Sequence, residues 1–421
     1  MGPGKWNWMP SALWNWVPSA LWNWVPSVLV GLTVGARVMP SMAADRPVFE
    51  VTNHGADLTD DQPDDEAWSK CLQAAIKAGG VCRIGKGTLT LTRYPAELRQ
   101  SGPITQNRNL NGLVIEGAGE DKTTVHGRSA KGFDVFQLNA VSHLTIRHLT
   151  ITAIKTTADE TQGVNGISIT NGTSHLVIEQ VTVRGMPYSL RAGGFDGGKA
   201  FTVQQGLLGA ESSTEIEVRD CTVFDSPIGG DVSASPNYKV CPGRIRFHNN
   251  RLQSLTLGFS LSFSGKNGGG AECPGLAVEI TGNNLIDCTR ALYIGRVPDA
   301  VFRDNAVLTT RTSGLPDPMI HPGIPLVIIG GPRARIEDNT IVYRPAVSTF
   351  ALIGGAPGGA TSDQLTFLGN RLSGPAEYGV KTLNDGIINS RFSGNSLYGP
   401  TAQHDSTLIN NSLKNTWKQS K

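Results

Sequence analysis

Three residues with acid, base or charge-stabilising side chains lie in short segments that alternate apolar and polar residues. Arg191 lies in SLRAG, Asp231 in GDVSA and Tyr293 in ALYIGR. Alternate side chains of a strand point to opposite faces, so each of the three would point away from the apolar face of its segment. Stacked in register, such segments would place one outward column at Ser168, Arg191, Asp231, Ser260, Tyr293 and Val327. Their inward residues would be Ile167, Leu190, Val232, Phe259 or Leu261, Leu292 and Leu326.

β-Elimination on a uronic-acid polymer is one reaction that suits this column. A cation neutralises the sugar carboxylate and so acidifies the neighbouring C–H group, and a lysine, arginine or tyrosine removes that proton. Arg191, Arg296 and Lys239 are the candidates for holding the carboxylate. Tyr293, Tyr238 or a lysine is the candidate base. The cationic character of the expected cleft favours this reaction.

Hydrolysis of a glycosidic bond is the alternative. It needs two carboxyl groups on either side of the bond, one protonated and one ionised, and their separation decides between inversion and retention. Asp231 could act with Asp196 or with Asp225, although Asp225 also suits a turn. The central position of Asp231 favours this reaction.

Long polar segments between the alternating ones are expected to form the walls of a cleft, because loops on a rigid scaffold often carry function. Their candidate side chains are Asp196, Lys199, Tyr238, Lys239, Arg244, Lys266, Arg296 and His321. We assign catalysis to Arg191, Asp231, Tyr293 and Lys239. We assign substrate binding to Asp196, Lys199, Tyr238, Arg244, Ser260 and Arg296. No metal site and no cofactor is predicted, with Ca²⁺ left open.

A repeated phrase, in which an apolar pair follows an asparagine, indicates how these segments are positioned. It reads IRFHNNRL, VEITGNNLI, VFRDNAVL, ARIEDNTIV, LTFLGNRL, FSGNSL and LINNSL. The equivalent asparagines are predicted to be Asn250, Asn284, Asn305, Asn339, Asn370, Asn395 and Asn411. Earlier copies keep the apolar spacing and have Leu149, Val181 and Cys221 at that place. Internal repeats of this kind predict a solenoid.

The period within each repeat predicts the kind of solenoid. The chain has 50 Gly and 24 Pro and only 17% charged residues, which favours a turn-rich all-β protein. Each repeat alternates apolar and polar residues and then breaks at Gly, Pro or Asn, as strands do. Strands that pair in parallel one turn apart bury an apolar stack along the axis. We therefore predict a parallel β-helix of about ten turns, with cleft strands at residues 166–170, 189–193, 230–234, 258–264, 291–296, 325–331 and 350–355.

One helix is predicted, over residues 65–78. The apolar residues Ala67, Cys71, Leu72, Ala75 and Ile76 recur at intervals of three and four, which is the helical period. A helix at the first turn would cover the open end of the core and its unpaired backbone groups. The acidic residues before it suit a helix N-terminus through capping and the macrodipole, and we assign them a structural role in preference to a metal site.

The stretch VTNHGADLTDDQPDDEAWSKCLQAAIKAGGVCRIGKGTLTL resembles the N-terminal signature of the pectate-lyase-like superfamily of right-handed β-helix proteins. The shared features are a Gly-Ala pair after a first strand, an Asp-rich turn, a helix and a Gly-bearing segment. The last of these, residues 84–89, lacks the usual proline and tyrosine. With the repeats, the resemblance covers residues 48–413. It implies a right-handed β-helix with a capping helix and a carbohydrate-active function.

The reaction class stays open at this stage, because one fold hosts many activities. The Gly-His-Gly and Arg-x-Lys signatures of polygalacturonases and the Asp-Pro-His motif of alginate epimerases are absent from the sequence. We favour a polysaccharide lyase, with a glycoside hydrolase as the alternative. A C5-epimerase and a non-catalytic glycan-binding or structural β-helix are further alternatives. The expected partner in each case is a polysaccharide or oligosaccharide.

Residues 1–44 are predicted to form a separate leader, and residues 45–421 a single β-helix domain. The leader contains three near-identical Trp-rich repeats, followed by an apolar stretch and small residues that resemble a secretory signal and its cleavage site. We therefore expect a secreted or periplasmic protein. Without Lys5 and Arg37 the chain has 35 basic residues (37 minus 2) against 35 acidic ones, which disfavours non-specific nucleic-acid binding. No apolar run of the mature region is long enough to span a bilayer.

The six cysteines show no zinc-site spacing, and export makes disulfides plausible. A bridge is predicted between Cys71 on the helix and Cys82 in the following strand. A second could join Cys241 to Cys273. Cys221 and Cys288 are predicted to be buried thiols.

Overall fold

The structure is a computed structural model that describes residues 46–100, 107–129, 134–155, 163–191, 194–205, 214–234, 243–263, 275–318, 321–355, 361–383 and 387–404. The predictions that lie outside these described residues concern the leader, Tyr238, Lys239, Lys266, Asn411 and the Cys241–Cys273 bridge.

The chain winds into a right-handed parallel β-helix of about nine turns, which confirms the predicted fold class. Each turn adds strands to three parallel sheets, which we name A, B and C in chain order. Sheet A contains Val48–Glu50, Val81–Ile84, Arg108–Gly117, the first parts of Val141–Lys155 and Ser174–Arg184, Thr214–Arg219, Gly243–His248, Leu276–Thr281, Val301–Arg303, Arg335–Glu337, Thr366–Leu368 and Arg391–Ser393.

The other two sheets follow each strand of sheet A in turn. Sheet B contains Gly87–Leu91, Thr123–Ser129, the second parts of Val141–Lys155 and Ser174–Arg184, Thr222–Phe224, Arg251–Gln253, Asn284–Ile286, Ala306–Thr309, Thr340–Tyr343 and the first parts of Arg371–Leu383 and Ser396–His404. Sheet C contains Phe136–Asn139, Ile167–Thr170, Lys199–Gln205, Ile228–Ala234, Leu257–Phe263, Arg290–Gly295, Leu326–Ile329, Val347–Gly354 and the second parts of Arg371–Leu383 and Ser396–His404.

Four short strands pair outside the three sheets. Tyr188–Arg191 pairs antiparallel with Gly194–Gly197, and Ser362–Asp363 pairs in parallel with Ile387–Ile388. Two single-turn 3₁₀ helices span Val51–His54 and Ala96–Leu98. No helix in the described parts of the chain is both long enough and apolar enough to cross a membrane.

Alternation along the strands places the core inside the coil. In Leu276–Thr281, for example, every second side chain is buried, as the strand period requires. Pairing one turn apart then stacks buried residues in columns, and burial of each large apolar side chain contributes roughly 1.5–3 kcal/mol. One such column in sheet A contains Ile178, Val218, Phe247, Ile280, Phe302, Ile336, Phe367 and Phe392.

The predicted capping helix is present as Asp65–Ala78. It buries all five of the predicted apolar residues, and Trp68 as well. It ends at Gly79, whose φ of 62° is left-handed and therefore suits glycine. Asp64 at the N-cap makes no side-chain capping bond, contrary to the prediction for the acidic run. Its carboxylate instead accepts hydrogen bonds from the backbone N–H groups of Asp57 and Thr90 and so ties the helix start to the first strand of sheet B.

An asparagine ladder runs along the corner between sheets A and B. Each asparagine donates from Nδ2 to the side-chain oxygen of the next one, and that oxygen also accepts from the backbone N–H of the first. The ladder residues are Asn250, Asn283, Asn305, Asn339, Asn370 and Asn395. The ladder residue of this turn is therefore Asn283 and not the predicted Asn284. Asn284 is exposed and is the first residue of a sheet B strand. Of the two adjacent asparagines, only Asn283 is on the corner.

The cysteines of the described region agree with the predictions. Cys71 and Cys82 form a disulfide with a Cα–Cα distance of 5.8 Å, which ties the capping helix to sheet A. Cys221 and Cys288 are buried thiols. Burial raises the pKa of Cys288 to about 12, and it also raises the pKa of Cys221, so both thiols stay protonated and inert.

Candidate functional site

The outer face of sheet C presents the predicted column in register, with one exception. Ser168, Asp231, Ser260, Tyr293 and Val327 all lie in this column, as predicted. The full column contains Gln137, Ser168, Thr202, Asp231, Ser260, Tyr293, Val327, Leu352 and Lys381. The level predicted for Arg191 is occupied by Thr202.

Arg191 lies on the antiparallel hairpin outside sheet C, opposite Gly194. Its apolar neighbour Leu190 was predicted to point inward but is 54% exposed. This turn contains two alternating segments, SLRAG and KAFTVQ, and the second buries more apolar surface through Phe201 and Val203. Because core burial dominates the choice between competing segments, the second segment takes the place in the sheet.

Asp231 lies at the centre of a buried polar group. Its side chain is almost fully enclosed, with the residue 4% exposed. Its Oδ2 accepts from Lys199 Nζ at 2.6 Å and from Thr202 Oγ1 at 3.4 Å. Lys199 was predicted to bind substrate from a loop, but it begins a strand of sheet C and pairs with Asp231 directly. The ion pair with Lys199 satisfies the buried Asp231 carboxylate.

Asp134 is a second carboxyl group on this face, and sequence reasoning missed it. It precedes the first strand of sheet C and accepts from Asn165 Nδ2 at 2.8 Å. Burial raises the pKa of Asp134, against the opposing effects of hydrogen bonds from Ser168 and Asn165 and of the charge of Lys199. The sequence signal for Asp134 is its position two residues before the alternating segment FQLN. The predicted cleft strands did not include this segment.

Asn165 connects the two carboxyl groups. Its side-chain oxygen accepts from the backbone N–H of Lys199 at 3.2 Å, while its amide nitrogen donates to Asp134. We name Asp134, Asn165, Lys199 and Asp231 the carboxyl cluster. It places one carboxyl group whose pKa is raised and one that is paired with a cation on the same face.

The remaining levels of the column are less polar. Val327 and Leu352 pack with Ile324 and Ile329 in an apolar cluster, with Tyr293 against it. Burial raises the pKa of Tyr293, although the charges of two nearby arginines oppose this shift.

Arg290, beside Tyr293 on this face, is fully buried. It donates to the backbone carbonyl of His321 and lies 3.7 Å from Asp317. Burial lowers the pKa of Arg290, and Asp317 opposes this shift. His321, predicted to be a cleft residue, therefore contributes its backbone to holding Arg290.

The other predicted substrate-binding residues are dispersed. Arg296 follows a strand of sheet C in a left-handed conformation and is close enough to Tyr293 to affect its pKa. Asp196 lies on the hairpin, opposite Ser189. Arg244 lies in sheet A and pairs with Glu279 at 3.3 Å, so the prediction that it lies on a cleft loop is wrong. Arg244 lies in a strand because the residues after it continue the apolar–polar alternation of the sheet A strands.

Asp225, an alternative carboxylate in the sequence analysis, is exposed and left-handed at a turn. No three His, Cys, Asp or Glu side chains in the described ranges are grouped closely enough to hold a metal ion.

Comparisons with known proteins identify relatives of the fold. No protein-family model matches the chain, and no curated protein matches its sequence. The A-module of the mannuronan C-5 epimerase AlgE6 of Azotobacter vinelandii is 17% identical and has a TM-score of 0.51, with 89% of this chain and 99% of that one covered.

Two further solved structures are more distant. PfbA, a surface adhesin of Streptococcus pneumoniae, is 10% identical with a TM-score of 0.49, covering 85% of this chain and 91% of that one. The catalytic unit of a GH87 α-1,3-glucanase from Streptomyces thermodiastaticus is 14% identical with a TM-score of 0.40, covering 87% and 70%. At these identities the likeness concerns the fold, which is the parallel β-helix.

Proposed function

We propose that the chain hydrolyses a polysaccharide on the outer face of sheet C, with Asp134 as general acid and Asp231 as general base. The observation that carries this proposal is the contrast between two carboxyl groups on one face. Burial raises the pKa of Asp134, whereas Asp231 is ion-paired with Lys199 at 2.6 Å. Pairs of titratable groups whose environments differ in this way take the acid and base roles in glycoside hydrolysis.

The reaction balances with these two groups and a water molecule. Protonated Asp134 donates its proton to the glycosidic oxygen as the bond from that oxygen to the anomeric carbon breaks. Asp231 takes a proton from the water molecule whose oxygen forms the new bond to the anomeric carbon. Asp134 ends as carboxylate and Asp231 as carboxylic acid, and exchange with solvent restores both. Lys199, 2.6 Å from Asp231, holds the base in place through their ion pair.

The geometry favours inversion at the anomeric carbon. Asp134 and Asp231 are three strand levels apart, or roughly 14 Å along the axis at about 4.8 Å a level. A wide spacing leaves room for a water molecule, as in inverting enzymes, whose carboxyl groups are roughly 6.5–9.5 Å apart, whereas those of retaining enzymes are only roughly 5–5.5 Å apart.

β-Elimination on a uronic-acid polymer is the second candidate, and Tyr293 favours it. The tyrosine occupies the sheet C column, and the charges of Arg290 and Arg296 stabilise its ionised form. Arg296 would hold the sugar carboxylate while Tyr293 removed the acidified proton. Return of a proton to the opposite face of the sugar would give epimerisation instead, the activity in the name of the mannuronan C-5 epimerase.

The test incubates the full chain with a panel of neutral and acidic polysaccharides and measures three products at once. Reducing ends without ultraviolet absorbance from an unsaturated sugar, lost in Asp134→Asn, would support hydrolysis. NMR of the first-formed anomer then reports inversion. Absorbance that rises with reducing ends and is lost in Tyr293→Phe would support β-elimination and overturn the hydrolytic proposal. A changed sugar composition with neither signal would indicate epimerisation.

We also propose that the protein is exported and that its reaction uses no metal ion. The Cys71–Cys82 disulfide and the signal-like segment of the leader support export. Mass spectrometry of the protein recovered outside the cell would show whether it begins near Asp45. Activity that survives a chelator would support the absence of Ca²⁺, and restoration by added Ca²⁺ after loss would overturn it.

A further inference from the structure

Asn165 has a fixed place between two other members of the carboxyl cluster. Asp134, Asn165 and Lys199 each lie two residues before a stacked core residue of sheet C, on three successive turns. Backbone hydrogen bonds join these turns at the same point. The Val135 N–H donates to the Asn165 carbonyl at 3.0 Å, and the Gly166 N–H donates to the Lys199 carbonyl at 2.9 Å. The Asn165 side chain is therefore held between Asp134 and Lys199.

The orientation of the Asn165 amide is set by the backbone of Lys199. The Lys199 N–H can only donate, and Asn165 Oδ1 accepts from it at 3.2 Å. The amide oxygen must therefore face Lys199. The amide nitrogen is left to face Asp134, where it lies 2.8 Å from Oδ1. Because a backbone donor fixes this orientation, it does not depend on whether Asp134 carries a proton.

One oxygen of the Asp134 carboxyl group receives both N–H groups of Asn165. Oδ1 accepts from the amide nitrogen at 2.8 Å and from the backbone nitrogen at 3.3 Å. Each carboxyl oxygen has two lone pairs, so these two donors occupy both of those on Oδ1. A proton on Oδ1 would displace one of the two hydrogen bonds. The proton of the acid form therefore belongs on Oδ2.

The other neighbours of Asp134 do not distinguish its two oxygens in this way. Ser168 also makes a side-chain hydrogen bond to Asp134. A hydroxyl group donates to a carboxylate and, after rotating, accepts from a carboxylic acid, so Ser168 suits both protonation states. Burial raises the pKa of Asp134, and the charge of Lys199 opposes this shift for the carboxyl group as a whole.

We propose that Asn165 is a positioning residue, which keeps Oδ1 of Asp134 as an acceptor and holds the transferable proton on Oδ2. The inference rests on the proposed function only in giving Asp134 the role of general acid. A general acid must present its proton within hydrogen-bond reach of the leaving oxygen, so the choice of carboxyl oxygen decides whether the proton is delivered.

The first test needs no substrate. Neutron diffraction from crystals of the deuterated full chain, at a pH at which Asp134 is in its acid form, locates the deuteron. We expect it on Oδ2, and a deuteron on Oδ1 would overturn the proposal. The pH of the crystals is chosen from a ¹³C NMR titration of the carboxyl carbons, in which Asp134→Asn identifies the Asp134 signal by removing it.

The same titration measures the effect of the amide donor. Asn165→Asp keeps an acceptor for the Lys199 N–H but replaces the donor to Asp134 with a second carboxylate, so the pKa of Asp134 should rise. Asn165→Ala removes the donor alone and should raise it less. Asn165→Ala also provides the comparison if Asn165→Asp fails to fold. An unchanged or lowered pKa of Asp134 in the folded variants would contradict the proposal.

The matched control is Asn171→Asp. Asn171 is half-buried in the same turn, and its Nδ2 donates to Asn139 Oδ1 at 2.7 Å, outside the carboxyl cluster. The pKa of Asp134 should be unchanged in this variant. A rise equal to that in Asn165→Asp would show that any new charge near this end of sheet C has the same effect, which would overturn the role of Asn165.

The rate on the polysaccharide that the panel identifies gives the last readout. In Asn165→Ala, kcat should fall by about ten- to a hundredfold with KM unchanged, and the decline in rate at high pH should move to higher pH. A purely structural role would leave the pH of that decline unchanged. Absence of hydrolysis with every polysaccharide would overturn the proposed function, whereas the deuteron position and the pKa of Asp134 would still decide the role of Asn165.

Discussion

The outer faces of sheets A and C both present acidic and basic side chains, but they arrange them differently. On sheet A, one side-chain position alternates in sign over six successive turns, and each neighbouring pair forms an ion pair. The residues are Glu50, Arg83, Glu116, Arg147, Glu179 and Arg219. On sheet C, Asp231 is buried, Asp134 and Lys199 are half-buried, and the two carboxyl groups of the carboxyl cluster outnumber its one cation.

The difference separates charges that are balanced by a neighbour on the next turn from charges that are not. The sheet A ladder is partly exposed and balanced, so each charge has a neighbour of opposite sign and the row specifies the register of the turns. The carboxyl cluster has two carboxyl groups for one cation, and burial raises the pKa of Asp134. Perturbed groups of this kind are concentrated at functional sites.

The largest expected effect comes from Asp231→Asn. The amide keeps the size of the side chain and can still accept from Lys199, but it cannot take a proton, so turnover should fall by about 10²–10⁴-fold. The measurement is the initial rate on the polysaccharide that the panel identifies. Glu179→Gln, in the sheet A ladder, is the control and should retain full activity. Equal loss in both variants would remove the distinction between the two faces.

The pH dependence of the rate tests the role of Asp134. Burial raises the pKa of Asp134 above 3.8, so its proton persists to higher pH than that of a free aspartate. The rate of the parent protein should decline as pH rises through that raised pKa. Asp134→Asn should be about 10²-fold slower and lack the decline. A parent rate that instead rises over this window would contradict the acid role.

The same shift has a consequence for stability. A carboxyl group whose folded-state pKa is raised contributes stability that is complete below its unfolded pKa and is lost as pH rises through its folded pKa. Asp134→Asn should therefore destabilise the protein more at low pH than at neutral pH, measured as the free energy of unfolding in urea.

The asparagine ladder at the corner between sheets A and B gives the next prediction. Asn283→Ala removes a residue that bonds to Asn250, to Asn305 and to the Phe247 carbonyl, and should lower the free energy of unfolding by about 2–4 kcal/mol. Asn284→Ala, its exposed neighbour, should stay within about 0.5 kcal/mol. Denaturant unfolding of both variants measures this pair. A larger loss of unfolding free energy in Asn284→Ala than in Asn283→Ala would show that Asn284 is the ladder residue, as the sequence predicted.

The smallest expected effect concerns the row of ion pairs on sheet A. Glu179→Gln removes the partner shared by Arg147 and Arg219, yet the pairs are partly exposed, so stability should fall by about 0.2–1 kcal/mol. The loss should shrink in concentrated salt, which screens exposed charges. A loss of several kcal/mol that salt does not change would contradict the contrast drawn between the ion pairs of sheet A and the carboxyl cluster of sheet C.

Much of the fold was predictable from local patterns. The apolar period of Asp65–Ala78, the Cys71–Cys82 bridge and five of the six column residues were all found from the sequence. Each of these depends on alternation or spacing within a few residues, which the backbone geometry of helices and strands translates directly into a face.

Two of the errors have a common cause. Arg191 was placed in sheet C because SLRAG alternates, but KAFTVQ follows it within the same turn and buries Phe201. Asn284 was preferred to Asn283 because the two residues are identical and adjacent. In both cases two local patterns were almost equally good, and the stacking of neighbouring turns decided between them.

The sequence by itself determined the all-β solenoid, its cap and the direction of most side chains, because strand and helix periods are local properties. Only the tertiary structure decided that Asp134 lies near Lys199 and that Lys199 pairs with Asp231. These residues are far apart in the chain, and winding brings them to one face. Their protonation depends on burial and on neighbouring charges, which are properties of the assembled turns.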